Sequence, residues 1–288
     1  MSIFTNDGIR KYAEASLLGA GRGLFGLPIE HPFDTVKTRA QANLETRSII
    51  TTITNVYKES GVRGFYSGAI PNATRIAVKQ MYRWPMMLGF PPFFKEVLPE
   101  NIQKDYPSSV KTATGLTIAS FETGIISPLE RLKVYLMTCK AEQKKISQFF
   151  IQNKGKLFPE LTRGLGAVYV RQMTSWVSFL VADDKFKKWE KARTQSENMS
   201  FASLLRVSFL VGAVNTAANM PFDVLKTNLQ KDKFIANQGM LKTLGKIYQT
   251  HGVRGLYAGW QVRMMHYMIQ SVFRVARFER LEKSWSKK

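Results

Sequence analysis

Apolar positions in this chain come in long mixed stretches, and no clean run reaches the roughly 20 residues that a fully lipid-exposed spanning helix needs. The first stretch, about 11–41, reads as one helix interrupted at Pro32, where the ring removes an amide donor and bends the axis. Similar stretches lead up to Pro128 and Pro221. Thirteen residues before each of these prolines begins a pair of small residues four apart: Gly19 and Gly23, Gly115 and Ala119, Ser208 and Gly212. Such spacing leaves a smooth face on which another helix can lie closely. Shorter segments at 47–60, 145–154 and 240–250 read as amphipathic helices, each followed by a glycine and a further long helix, at about 69–89, 165–188 and 260–283. Pro91, Pro92 and Pro99, and the polar stretch 194–198, read as linkers.

The prolines belong to a motif. Pro32-Phe33-Asp34-Thr35-Val36-Lys37 returns as Pro128-Leu129-Glu130-Arg131-Leu132-Lys133 and as Pro221-Phe222-Asp223-Val224-Leu225-Lys226, with the prolines 96 and 93 residues apart. Downstream come Gly64-Phe65-Tyr66-Ser67-Gly68, a worn Arg163-Gly164, and Gly255-Leu256-Tyr257-Ala258-Gly259. Gly68, Gly164 and Gly259 are 96 and 95 residues apart, so both landmarks keep one register. Three copies at one period make an internal repeat, too long for a solenoid unit of about 20 to 50 residues. Gly21-Arg22-Gly23-Leu24-Phe25-Gly26 matches a dinucleotide fingerprint, but it lies inside a helical pattern without the strand that fingerprint requires.

Charge narrows the partner. The 288 residues carry a net +21, which calls for an anion: nucleic acid, anionic lipid or an anionic small molecule. Lys and Arg are spread along the chain and no nucleic-acid module is present, so a membrane protein with an anion pathway fits better. A mean hydropathy of -0.17 is low for such a protein, yet a helix lining a watery cavity needs lipid-compatible residues on one side only. The single Cys139 excludes an internal disulfide framework, no Cys/His cluster has zinc spacing, and residues 1–10 do not read as a secretory signal.

The tripled Pro-x-acid-x-x-base motif with its glycine-aromatic sequel resembles the mitochondrial carrier family over nearly the whole chain. The resemblance implies an all-α membrane protein: six transmembrane helices in three pseudo-symmetric repeats, 8–100, 105–192 and 199–288, around a central cavity. It implies a monomeric, multi-pass carrier of the mitochondrial inner membrane, with cardiolipin bound where the helix starts near Gly68, Gly164 and Gly259 offer free amides. It also implies that Asp34, Lys37, Glu130, Lys133, Asp223 and Lys226 form a ring of salt bridges closing the matrix side. Gln41 and Gln230, four residues after their lysines, stand where the family braces a pair, whereas the second copy has Met137. The cytoplasmic gate is eroded to Asp184, Lys187 and Glu279, with no charge at the corresponding place in the first repeat. Such erosion suits either an outlying organellar carrier or a carrier-like protein that an intracellular bacterium delivers to host mitochondria.

Family substrate contacts lie about two turns into the even-numbered helices. Seven residues after each landmark glycine stand Arg75, Arg171 and His266, with Lys79, Arg83, Gln172, Arg263, Arg274 and Arg277 around them. Guanidinium groups match phosphate and carboxylate oxygens, and cations at membrane depth are costly unless they face water or an anion. The Arg171-Gln172 pair resembles carboxylate and keto-acid carriers, while the stripe Arg75, Lys79, Arg83 supplies more charge than a dicarboxylate needs. Charge count favours a nucleotide such as ATP or ADP, with a carboxylate or keto acid as the alternative. An enzyme is disfavoured: three histidines, no P-loop and no nucleophile-base pair offer no catalytic constellation. A basic soluble nucleic-acid binder is the remaining class.

Overall fold

The structure is a computed structural model describing residues 6–45, 48–106, 108–138, 145–196, 199–231 and 238–269. Among them every regular element is helical. In chain order these are α1 (Asn6–Ala42), α2 (Ile49–Ser60), α3 (Ala69–Val97), α4 (Glu100–Asp105), α5 (Ser109–Thr138), α6 (Ile146–Gln152), α7 (Leu157–Leu161), α8 (Leu165–Thr194), α9 (Phe201–Lys231) and α10 (Met240–Leu256). A last helix, α11, begins at 260 and is described to 269.

The helices α1, α5 and α9 run through Pro32, Pro128 and Pro221 without leaving helical geometry. More surprising is α3, which continues through Pro85, Pro91 and Pro92 to Val97 instead of stopping near Gly89. A proline's φ is already helical and each removes only one donor, so the bonds on either side carry the helix past it. The linker is thereby reduced to Leu98 and Pro99 before α4 begins. Likewise α8 extends to Thr194, beyond the expected 188.

The long helices pack in sequence, α1 on α3, α3 on α5, α5 on α8 and α8 on α9. Closing the ring, α11 sets Tyr267 against Gly212 of α9 and His266 against Glu30 of α1. Small residues make the approaches possible: a Cβ on Gly115 would stand 2.9 Å from the Trp176 ring of α8. The polarity is inverted relative to a water-soluble bundle. Glu122, Glu130, Asn215 and Asp223 are buried, while Phe25, Ile70, Met81 and Val181 point outward and are exposed, Phe25 at 86%. An outward apolar face with a polar interior is what lipid outside and water inside demand. By composition α9 is the sole described helix apolar enough along its length to pass as a span.

The landmark glycines share one conformation. Gly68, Gly164 and Gly259 have φ of 76°, 78° and 79°, a left-handed turn that a side chain would strain. Each turn is set against the adjacent odd-numbered helix: a Cβ on Gly68 would lie 3.2 Å from the Lys133 carbonyl oxygen, on Gly164 3.2 Å from Gln230, and on Gly259 3.4 Å from the Lys37 carbonyl oxygen. The first and third repeats agree further upstream. Gly61 (φ 58°, ψ -153°) ends α2 and Gly252 (φ 64°, ψ -162°) breaks α10 in nearly the same conformation.

Candidate functional site

In each motif the acid and base are three residues apart on one helix face, so both point toward the neighbouring helices. All three bases find an acid on another helix. Lys37 Nζ of α1 lies 2.7 Å from Asp223 Oδ2 of α9, Lys226 Nζ of α9 lies 2.9 Å from Glu130 Oε2 of α5, and Lys133 of α5 bonds Asp34 of α1. The result is a closed ring in which every helix gives its base one way and its acid the other. The six side chains are 4 to 18% exposed, intermediate between pairs in open water, worth about 0 to 1 kcal/mol, and fully buried ones.

The two motif glutamines do not brace these pairs. Gln41 Oε1 accepts from Thr227 Oγ1 at 3.0 Å and its carbonyl accepts from Asn228, so it ties α1 to α9. The Gln230 side chain is buried beside the Gly164 turn, and its carbonyl accepts from Arg163. With each lysine already on its acid, a glutamine one turn farther along meets the next helix instead.

Next to the ring lies a layer of arginines. Arg171 reaches both Glu130 (3.4 Å) and Asp223 (3.7 Å), Arg75 approaches Glu130 at 3.9 Å, and Arg263 bonds Asp223. His266, which counting from the glycines pairs with Arg75 and Arg171, turns to Glu30 at 3.1 Å. Arg263, one turn earlier on α11, takes the third place and also contacts Asn215.

Arg75 is held from behind. His31 Nε2 donates to the Ser67 carbonyl at 3.0 Å, which leaves Nδ1 to accept from Asn72 Nδ2 at 3.0 Å. That fixes the amide orientation, so Asn72 Oδ1 accepts from Arg75 Nε and Nη2 at 3.1 and 2.9 Å.

A second cluster forms around Glu122 of α5, whose side chain is 1% exposed. Its Oε2 accepts from Lys79 at 3.1 Å and from Gln172 at 2.7 Å, while Arg83 Nε stands 3.7 Å from Oε1 and stacks over Trp176 at 4.8 Å. Of the expected cytoplasmic pair, Asp184 bonds Ser108 and lies 3.8 Å from Lys111, whereas Lys187 bonds Asp183 within α8. Among the described residues no charged network joins the ends of α3 and α8. Arg274, Arg277 and Glu279 lie outside the described residues.

The sequence reading missed Glu122, Glu30, His31, Asn72, Asn215 and Tyr267. Glu122 had a usable signal, an acid inside the apolar approach to Pro128, two turns before Glu130 on the same face. The others are single polar residues with no repeat to mark them.

A profile of the family described as mitochondrial carrier protein matches residues 10–95 and 197–288, the first and third repeats. Among relatives, the mitochondrial 2-oxodicarboxylate carrier of Rattus norvegicus is 24% identical over 274 residues, 86% of each chain. The citrate/oxoglutarate carrier protein of Saccharomyces cerevisiae is 26% identical over 283 residues, 90% of this chain and 86% of the relative. The chloroplastic/mitochondrial adenine nucleotide transporter BT1 of Arabidopsis thaliana is 23% identical over 248 residues, 84% of this chain and 62% of the relative. Tripled motif, helical ring and profile agree: this chain belongs to the mitochondrial carrier family, as an all-α, multi-pass carrier of the mitochondrial inner membrane.

Proposed function

We propose that the protein carries a small carboxylate anion, of the 2-oxodicarboxylate or tricarboxylate kind, by alternating access. The observation that carries this reading is the pairing of Lys79 and Arg83 with Glu122. Beside the neutral ring of three acids and three lysines stand five cations, Arg75, Lys79, Arg83, Arg171 and Arg263, against two carboxylates, Glu30 and Glu122. Among the described residues, and with Glu122 ionised before substrate binds, the surplus is three positive charges, of the order a di- or tricarboxylate carries and less than bare counting of cations suggests. Arg171 and Gln172, adjacent on α8, add the carboxylate-type pattern, and the rat and yeast relatives are named for oxodicarboxylate, citrate and oxoglutarate.

The arginine layer supplies a mechanism. Arg75, Arg171 and Arg263 sit on α3, α8 and α11 but lean on acids of α5 and α9, so they hold the two sets of helices together. A carboxylate entering the cavity competes for those guanidinium groups, loosens their hold on Glu130 and Asp223, and lets the ring open in exchange for substrate contacts. Cardiolipin at the three glycine turns and a monomeric working unit complete the proposal.

A nucleotide is the second reading, supported by the Arg75, Lys79, Arg83 stripe on α3 and by the Arabidopsis relative. Uptake of labelled 2-oxoglutarate, citrate, ATP, ADP and AMP by reconstituted liposomes separates the two. Robust carboxylate uptake with nucleotides ignored sustains the first; the converse replaces it.

A further inference from the structure

We infer that Glu122 is a proton site coupled to the substrate: an anion that claims Lys79, Arg83 and Gln172 evicts Glu122 from them, and Glu122 binds one proton while the anion stays. The inference rests on the reading that the substrate is an anion seated among these cations.

Glu122 differs from the other acids of the gate ring and the arginine layer. Asp34, Glu130 and Asp223 each keep a gate lysine as partner even if the arginine layer leaves them. Glu30, paired with His266, is 26% exposed and can be hydrated. Glu122 is 1% exposed, and its partners Lys79, Arg83 and Gln172 all belong to the substrate-contact layer. Its two oxygens are unequal. Oε2 takes the bonds from both Lys79 and Gln172, whereas Oε1 is buried without a hydrogen bond in the structure. Facing it from α3 are Lys79, Arg83 and the phenol of Tyr82, and from α8 Gln172 and the charge of Arg171.

Substrate carboxylates need the same donors. Once Lys79 and Gln172 turn to the substrate, an ionised Glu122 would remain buried beside a second negative charge with no donor of its own. A lone buried charge is far costlier than a neutral carboxyl group, so the group neutralises instead. The proton comes from water on whichever side the cavity faces and binds a carboxylate oxygen, of which Oε1 accepts no hydrogen bond in the structure. It returns to water on the far side when the substrate leaves and Lys79 and Gln172 swing back. Substrate and proton therefore cross together, and the translocated complex carries one negative charge fewer.

The test is calorimetric binding to the purified carrier at neutral pH, in buffers of different ionisation enthalpy, with 2-oxoglutarate, citrate and ATP as probes. Wild type should take up close to one proton per anion bound, Glu122→Asp should keep that uptake, and Glu122→Gln should bind with none. In wild type the affinity should fall about tenfold per pH unit where the proton is limiting, a readout independent of whether the variants fold. Carboxylate binding without proton uptake in wild type overturns the inference and leaves the carboxylate reading standing. ATP binding with one proton, lost in Glu122→Gln, while both carboxylates are ignored, overturns the substrate class and sustains the proton site. Undiminished uptake in Glu122→Gln assigns the proton to another group, and failure of all three anions to bind removes both.

Discussion

The Tyr66 hydroxyl donates to the Pro28 carbonyl at 3.1 Å, and this is the carbonyl that Pro32, four residues on, leaves without a helical donor. The third repeat repeats the device: Tyr257 donates to the Ala217 carbonyl at 3.1 Å, four residues before Pro221. The second repeat has Thr162 at the tyrosine position, which bonds Phe158 in its own turn. Tyr66→Phe and Tyr257→Phe should each lower stability by about 0.5 to 1.5 kcal/mol, the usual net value of one hydrogen bond. Thr162→Val should change little. Thermal unfolding of the detergent-solubilised protein reads both.

Ring geometry makes the partner of Asp34 specific. Asp34→Lys should abolish transport, Lys133→Asp added to it should restore part of the rate, and Lys226→Asp should not, because Lys226 faces Glu130. Equal rescue by both lysine variants would contradict the pairing; initial uptake rates decide.

Arg171 bridges two gate acids and should be the most costly cation to lose. Arg171→Ala should weaken substrate affinity by about 10- to 150-fold, corresponding to roughly 1.5 to 3 kcal/mol for a charged hydrogen bond. Arg83 is 30% exposed and 3.7 Å from its acid, so Arg83→Ala should stay within about fivefold, as for an ion pair near water. KM values from liposome uptake compare the two.

Asn72 acts through Arg75. Asn72→Ala should raise KM by roughly 2- to 12-fold, the equivalent of about 0.5 to 1.5 kcal/mol, and have no further effect in an Arg75→Ala background. An additive double variant would show that Asn72 serves the fold and not the arginine.

Much of the fold was legible because proline and glycine impose backbone geometry that each copy of the unit must satisfy, so Pro32, Pro128, Pro221, Gly68, Gly164 and Gly259 mark it even where other residues differ. Which lysine meets which acid was not legible, since the spacing allows either direction round the ring. Glu122 was obscured by the repeat itself: Gly26, Glu122 and Asn215 stand at the same place in the three copies, six residues before each proline. Reading for what recurs averages away such positions, and they are where a symmetric scaffold becomes an asymmetric site. Helix α3 outran its expected end for a different reason, because Pro91 and Pro92 cost donors without altering φ.

The turn at Gly68 is completed by α5, that at Gly164 by α9, and that at Gly259 by α1. Linear repeat arrays have two terminal units that need special caps, but here the last unit clasps the first and no unit is terminal in space. The order of the units along the chain is thus separable from their order around the axis. A permuted chain that begins with the second unit and ends with the first would keep all three clasps, whereas any two-unit fragment leaves a glycine turn with nothing to close against.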